Sequence, residues 1–377
     1  MLKPVKILHC ADFHFDTPFR ELSGTVAEKR KEDLRETFGR VVNLARQERV
    51  DIMLLCGDLF DNQMVSRMTI DYLISKLREI PEVRVFISPG NHDPYNENSY
   101  YQLVQWPENI HIFKNTLEKV EIQELNTCVY GRGFIRPHQQ DSLLKGFSVD
   151  DSTKLNIMTL HGDVVQPGQC SDYNPITPEE IKESRLDYLA LGHRHSYTNI
   201  AKMDDTSWAY CGCPEGRAFD ELGDKGILLG ELRKGSCNVV FKSISKRKYF
   251  ELKIDISSCK TYEEIGVSTL EKASVLEPGK NLFKVILQGE IPEDFMLNTS
   301  VIKEKLEDQF YFLKVEDETT TRVDSELLAN DFTLRGVFVK KMLEQIRQTQ
   351  DQADRRKAEL ALKYGLRILE QGEAGIE

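Results

Sequence analysis

Five times before residue 196, a short apolar run ends in a histidine, an aspartate or an asparagine. The runs 5–9, 51–56, 83–88, 155–160 and 187–191 are rich in Val, Ile, Leu and Met, and they read as buried strands. Just past them come Asp12-Phe13-His14, Gly57-Asp58-Leu59-Phe60-Asp61, Gly90-Asn91-His92-Asp93, His161-Gly162 and Gly192-His193-Arg194-His195. Between the first two runs Leu34, Phe38, Val41, Val42 and Ala45 recur at helical spacing. Between the second and third, Ile70, Leu73, Ile74 and Leu77 do the same. This alternation predicts an α/β fold with a mostly parallel sheet and right-handed crossovers. Such sheets gather ligand sites beyond the carboxyl ends of their strands. Five motifs far apart in the chain are therefore expected to meet at one edge.

As ligands the motifs offer Asp12, His14, Asp58, Asn91, His161, His193 and His195. A mixed nitrogen and oxygen set of this size suits two divalent ions of the Mn, Fe, Zn or Mg kind. Paired ions are a common protein solution for in-line displacement at a phosphate ester. Asp58 has two carboxylate oxygens and so could bridge both ions, with Gly57 letting the backbone turn beneath it. Asp61 is expected to orient a ligand or a water molecule. His92 reads as a general acid near the leaving oxygen, with Asp93 fixing its tautomer. Singly, each motif also has a plain reading as a cap, a turn or a satisfied core histidine. Their joint occurrence argues otherwise. Five of the eight histidines fall within them, leaving His9, His111 and His138 elsewhere.

At 377 residues the chain exceeds the size at which one core usually keeps growing, so two domains are the default. After a first domain over 1–245 the texture changes. Residues 246–324 read as a small α+β unit, and 325–377 as helical. Leu334, Val337, Phe338, Met342 and Ile346 line one helical face there, and Ala358, Ala361, Leu362, Gly365, Leu366 and Leu369 another. Cys211-Gly212-Cys213 has no second pair to complete a zinc site, so it reads as two reduced thiols in a loop. No apolar run approaches the roughly 20 residues that span a bilayer. The N-terminus leads straight into a strand without a secretory segment, so a cytoplasmic location is expected. The net charge of −11 divides into 29 basic and 36 acidic residues up to 245, and 21 and 25 beyond. Neither part is a basic module, so a nucleic-acid substrate would be held by metals and a few placed side chains.

The ordered motifs resemble those of the calcineurin-like metallophosphoesterase superfamily. The form His9-Cys10-Ala11-Asp12-Phe13-His14-Phe15-Asp16-Thr17-Pro18-Phe19 is most similar to DNA repair exonucleases of the SbcD type, especially their YhaO-like bacterial relatives. Gly57-Asp58-Leu59-Phe60-Asp61 resembles the nuclease form of the second motif. Protein phosphatases of the superfamily carry Asp-Arg-Gly after that aspartate and end the third motif in Glu; here Asp61 is followed by Asn62-Gln63, and the third motif ends in Asp93. The resemblance implies a two-sheet αββα sandwich, a different arrangement from the single doubly wound sheet that the strand pattern alone suggests. It assigns Asp12, His14, Asp58 and His195 to one ion, Asp58, Asn91, His161 and His193 to the other, and the catalytic role to His92. It implies Mn2+, a metal-bridging hydroxide as nucleophile and DNA as substrate. It also implies a capping domain, helices that dock on the coiled-coil root of an SMC-like partner ATPase, and commonly a homodimer. Two alternatives stand beside it. One is a small-molecule or cyclic-nucleotide phosphodiesterase on the same dinuclear site; the other is a non-catalytic scaffold, which would be expected to have lost some ligands.

Overall fold

The alternating strands and helices are distributed over two sheets. In the computed structural model, β1 (Val5–Cys10), β2 (Ile52–Leu55), β3 (Arg84–Ile87) and β4 (Ile110–Ile112) run parallel. The structure describes residues 3–62, 64–166, 168–292, 295–322 and 332–371. A second sheet begins where β5 (Glu118–Ile122) turns back on β6 (Thr127–Gly131), with Asn126 in the left-handed region at φ 48°. β7 (Leu155–His161), β8 (Tyr188–Gly192) and β10 (Thr206–Tyr210) continue it in parallel, and β9 (Ala201–Met203) closes its edge. The chain then returns to the first sheet with β11 (Gly226–Arg233) and β12 (Ser236–Ser243), giving the order β12-β11-β1-β2-β3-β4.

Burial explains the layers. Ile7, Ile52, Leu54 and Phe86 of the first sheet pack against Val129, Ile157, Tyr188 and Ala190 of the second. On the outer face of the first sheet, Leu34, Phe38 and Val41 of α1 (Gly24–Gln47) and Ile70 and Leu73 of α2 (Arg67–Leu77) cover Leu8, Met53 and Val85. The Ser66 side chain accepts from the Thr69 N–H and starts α2. Tyr101 of the short α3 (Tyr100–Leu103) joins the same core. On the far side Ile181 of α4 (Pro178–Ser184) joins Met158, Leu160 and Leu189. A Thr177–Glu180 capping box fixes where α4 begins. The result is the αββα sandwich that the motif resemblance implies.

A polar bridge crosses the inter-sheet core. His9 on β1 is fully buried, 3.1 Å from the Leu191 carbonyl and 3.0 Å from the Tyr188 hydroxyl, both on β8. A carbonyl only accepts, so Nε2 carries the hydrogen and Nδ1 accepts from Tyr188. The neutral ring is thus satisfied at both nitrogens. Burial lowers its pKa to about 3, against the opposing pull of the Leu191 carbonyl. A depressed histidine contributes stability that is whole above its unfolded pKa and is lost as pH falls towards the folded value. The expected loss between about pH 7.5 and pH 5 is about 2 kcal/mol from this residue. Urea unfolding followed by tryptophan emission checks it, since both tryptophans, Trp106 and Trp208, lie with His9 in the compact unit Met1–Lys248. His9→Gln should flatten that part of the pH profile, and an unchanged slope would rule His9 out as its source.

The chain divides into compact units at Met1–Lys248 and Tyr249–Glu377. In the second unit β13 (Tyr249–Asp255), β14 (Leu282–Gln288) and β16 (Phe312–Asp317) lie parallel, with α5 (Tyr262–Ser274) and α6 (Thr299–Leu306) on the connections. β15 (Glu290–Ile291) and β17 (Thr320–Thr321) form a small added pair. The boundary expected at 324–325 lies outside the described residues. Beyond it, α7 (Leu334–Gln348) packs Phe338, Val339, Met342 and Ile346 against Leu362 and Leu366 of α8 (Gln352–Gln371). Leu334 and Val337, from the same sequence stripe, stay exposed. Among the described residues, no helix is long and apolar enough to cross a membrane.

Candidate metal centre

β1, β2 and β3 of one sheet and β7 and β8 of the other end at a common edge, and each carries its motif there. The first two motifs extend the β1–β2 ladder past the strands: the Asp12 N–H donates to the Gly57 carbonyl at 3.0 Å, and the His14 N–H to the Asp58 carbonyl at 2.9 Å. Asp12, His14 and Asp58 sit in the left-handed region, at φ 55°, 48° and 51°. That conformation costs an L-residue roughly 1–2 kcal/mol, and here it aims three side chains into one gap. Two glycines make room. A Cβ on Gly57, whose φ is +85°, would collide with the His161 ring, and one on Gly90 with the Asp58 carboxylate.

The donor atoms fall into overlapping groups. Ligand atoms of Asp12, His14 and His195 all lie within 4.8 Å of one another, as do those of Asp58, His161 and His193. Asp58 Oδ2 joins the groups, 3.7 Å from His14 Nε2 and 3.3 Å from His161 Nε2. The Asn91 amide oxygen is 2.9 Å from His161 Nε2 and 3.2 Å from His193 Nδ1. His14, Asp61 and His92 form a further group within the same limit.

These residues fit divalent ions. Nε2 of His14 faces Nε2 of His195 at 3.2 Å, and His14 Nδ1, fully buried, has no well-aligned hydrogen bond. Burial opposes a proton on His161, yet the Asp58 carboxylate holds its pKa up to about 9. Burial would likewise raise Asp58, but His161 and His14 bring it well below the usual carboxylate range. A buried carboxylate tied to a protonated imidazole is a pair whose proton a metal ion can replace.

Three of the imidazoles are also held from behind, as ligand histidines usually are. His161 Nδ1–H donates to the Cys56 carbonyl at 2.9 Å. His195 Nδ1 is 2.6 Å from Glu221 Oε1, and His193 Nε2 is 3.4 Å from Asp163 Oδ2. Asp61 Oδ1 approaches His14 Nδ1 at 3.3 Å, off the hydrogen-bonding axis. Glu221, Asp163 and Arg217, which contacts Glu221, Asp61 and His195, do not stand out in the sequence. Arg217 and Glu221 lie in the segment that joins β10 to β11, well past the end of the strand. Asp163 follows His161 by two residues.

The expected pairing of Asp93 with His92 is corrected by the geometry. The buried Asp93 carboxylate accepts from the backbone N–H groups of Gly90, Asp58 and Phe60, at 2.7, 3.2 and 3.1 Å, and from the Tyr101 hydroxyl at 2.6 Å. It pins the second motif to the third and leaves no oxygen for the His92 ring. His92 Nδ1 is instead 2.8 Å from the Asp61 carbonyl, which can only accept, so that carbonyl sets the tautomer and turns Nε2 outward. Cys211 and Cys213 are fully buried, and burial pushes both thiols well above their ordinary range. Cys213 Sγ–H donates to the His195 carbonyl at 3.4 Å, so Cys213 braces the last motif from beneath.

The family model described as calcineurin-like phosphoesterase matches residues 5–197, the stretch holding all five motifs. The chain belongs to this family. As a calcineurin-like phosphoesterase it is an enzyme that hydrolyses phosphate esters. It is similar to the uncharacterized metallophosphoesterase YhaO of Bacillus subtilis, with 25% identity over 342 residues, 85% of this chain and 83% of that protein. It is also similar to the DNA double-strand break repair protein Mre11 of Saccharolobus solfataricus, with 25% identity over 371 residues, 93% of this chain and 93% of that one. Both matches extend beyond the catalytic motifs into the second unit.

Proposed function

We propose that this phosphoesterase is a Mn2+-dependent DNA nuclease subunit, an exonuclease or endonuclease of DNA repair acting in the cytoplasm. The observation that carries the dinuclear reading is Asp58 Oδ2 lying between His14 and His161, with the other donors grouped around them. Asp12, His14, Asp58 and His195 hold one ion; Asp58, Asn91, His161 and His193 hold the other. An amide oxygen among imidazoles and carboxylates suits Mn2+ better than a soft ion. Such a pair supplies, when bound, an activated water and charge neutralisation at the phosphate. His92 acts in its protonated form: with Nδ1–H held by the Asp61 carbonyl, it gives the Nε2 proton to the leaving oxygen and is left as the neutral Nδ1–H ring. The likeness to Mre11 along nearly the whole chain supports DNA as the substrate. On this reading the second unit carries an α+β capping domain, and the α7–α8 pair, with Leu334, Val337, Ile368 and Leu369 exposed, docks on an SMC-like ATPase. Met64, just before α2, and Met68, in its first turn, are exposed and suit a homodimer contact.

The net charge of −11 favours a second reading, a small-molecule or cyclic-nucleotide phosphodiesterase on the same residues. Turnover on an end-labelled DNA duplex, compared with cyclic nucleotides and dinucleoside polyphosphates, separates the two. We expect Mn2+-dependent degradation of the duplex. Fast turnover of a small diester with DNA untouched would end the nuclease reading.

A further inference from the structure

The geometry points to Arg217 as a positioning residue that spaces His14 and His195 for one metal ion by gripping the two acids behind them. This rests on the assignment of Asp12, His14, Asp58 and His195 to that ion. Arg217 lies in the segment that joins β10 to β11 and belongs to none of the five motifs. Its guanidinium donates to Glu221 Oε1 through Nε at 3.3 Å and Nη2 at 3.0 Å, and to Asp61 Oδ1 through Nη1 at 3.4 Å. Its backbone N–H donates to the other Glu221 oxygen at 2.7 Å. Glu221 is the acid behind His195, and Asp61 is the acid beside His14.

A guanidinium is a planar fork with fixed angles between its N–H groups, so two acids gripped by one fork are held at a set separation. The two imidazoles, His195 hydrogen-bonded to Glu221 and His14 in contact with Asp61, have their Nε2 atoms 3.2 Å apart. Nη2 of Arg217 is also 2.9 Å from His195 Nδ1. That nitrogen spends its hydrogen on Glu221, so the ring and the fork both donate to the same Glu221 oxygen.

The strut is itself anchored. Glu215, two residues earlier and fully buried, accepts from the Lys246 N–H at 2.7 Å, the Arg247 N–H at 3.1 Å, the Thr37 hydroxyl at 2.8 Å and Arg30 at 2.9 Å. Arg30, buried as well, donates a second N–H to the Gly216 carbonyl at 2.8 Å. The backbone entering Arg217 is therefore pinned from inside the fold. A surface ion pair would not need such a foundation. Three loops, 58–61, 193–195 and 213–221, meet at this one side chain.

The test is Mn2+ binding by the intact chain, read as ions held per chain after dialysis and as the electron paramagnetic resonance of the bound ions. Wild type should hold two ions with a spin-coupled spectrum. Arg217→Gln and Arg217→Lys should each hold one ion tightly, bind the other about ten- to hundredfold more weakly, and show the spectrum of an isolated ion. Lysine keeps the charge and loses the fork, so wild-type binding by Arg217→Lys would overturn the strut. Two ions at wild-type affinity in Arg217→Gln would overturn it too. Asp163→Asn, which loosens His193, should weaken the other ion, so a double variant with Arg217→Gln should hold neither tightly. A wild type that binds fewer than two ions would instead end the dinuclear assignment on which the role rests.

Discussion

His92→Ala should slow cleavage of an end-labelled DNA duplex by about 10²–10⁴-fold, the usual worth of a positioned general acid, and should keep both ions. The geometry separates the two effects. What His92 gives the metal centre is its backbone N–H, donated to Asp58 Oδ1 at 2.9 Å, and alanine retains it. What alanine removes is an exposed ring whose Nδ1 is tied to the Asp61 carbonyl. Metal analysis of the variant checks the first statement and the rate checks the second. A p-nitrophenyl phosphodiester, whose leaving group needs no proton, should lose far less than DNA. Wild-type rates on DNA would remove His92 from the acid role, and equal losses on both substrates would point to disturbed metals.

The likeness of the two halves of the sandwich explains why one part of the fold is hard to read from the chain. β1–β2–β3 and β6–β7–β8 are the same kind of parallel, two-sided buried strand, with near-continuous apolar sequence. Periodicity cannot say whether they share a sheet. The division is made by the β5–β6 hairpin and by the return of β11 to β1, both set by long-range pairing. The ligands are legible for the opposite reason. They follow their strands within a few residues, so chain-local signals mark them.

The supporting residues act only through space. Glu221 lies twenty-six residues beyond the ring it backs, and no spacing rule joins them. Asp93 is a different case. Its position next to His92 suggested a pair, but a buried carboxylate is claimed by the nearest backbone donors, and the turn at Gly90 and the loop at Asp58–Phe60 offer three. Adjacency in sequence thus says little about a residue whose work is to hold two motifs together. The excess of acid also acquires a local meaning. Asp12, Asp58, Asp61, Asp163 and Glu221 crowd one edge, which makes the edge a trap for cations before it can receive an anionic phosphate.

Asp58→Ala should therefore cost more than any single imidazole. The side chain contacts both halves of the centre: Oδ2 is within 3.7 Å of His14 and 3.3 Å of His161, while Oδ1 accepts the His92 N–H. On the proposed bridging assignment, removing it deletes one ligand from each ion; it also leaves His161, fully buried, without the carboxylate that holds its proton. We expect at most one tightly held Mn2+ per chain and hydrolysis at least about 10³-fold below wild type, since both ions act on the same displacement. Asp58→Asn keeps the shape and one good oxygen donor, so it should retain more metal than the alanine variant and still lack a bridge. Metal content by mass spectrometry, set beside the rate on the labelled duplex, orders the three chains. Two ions per chain in Asp58→Ala would refute the bridge, and full activity in Asp58→Asn would show that one oxygen suffices.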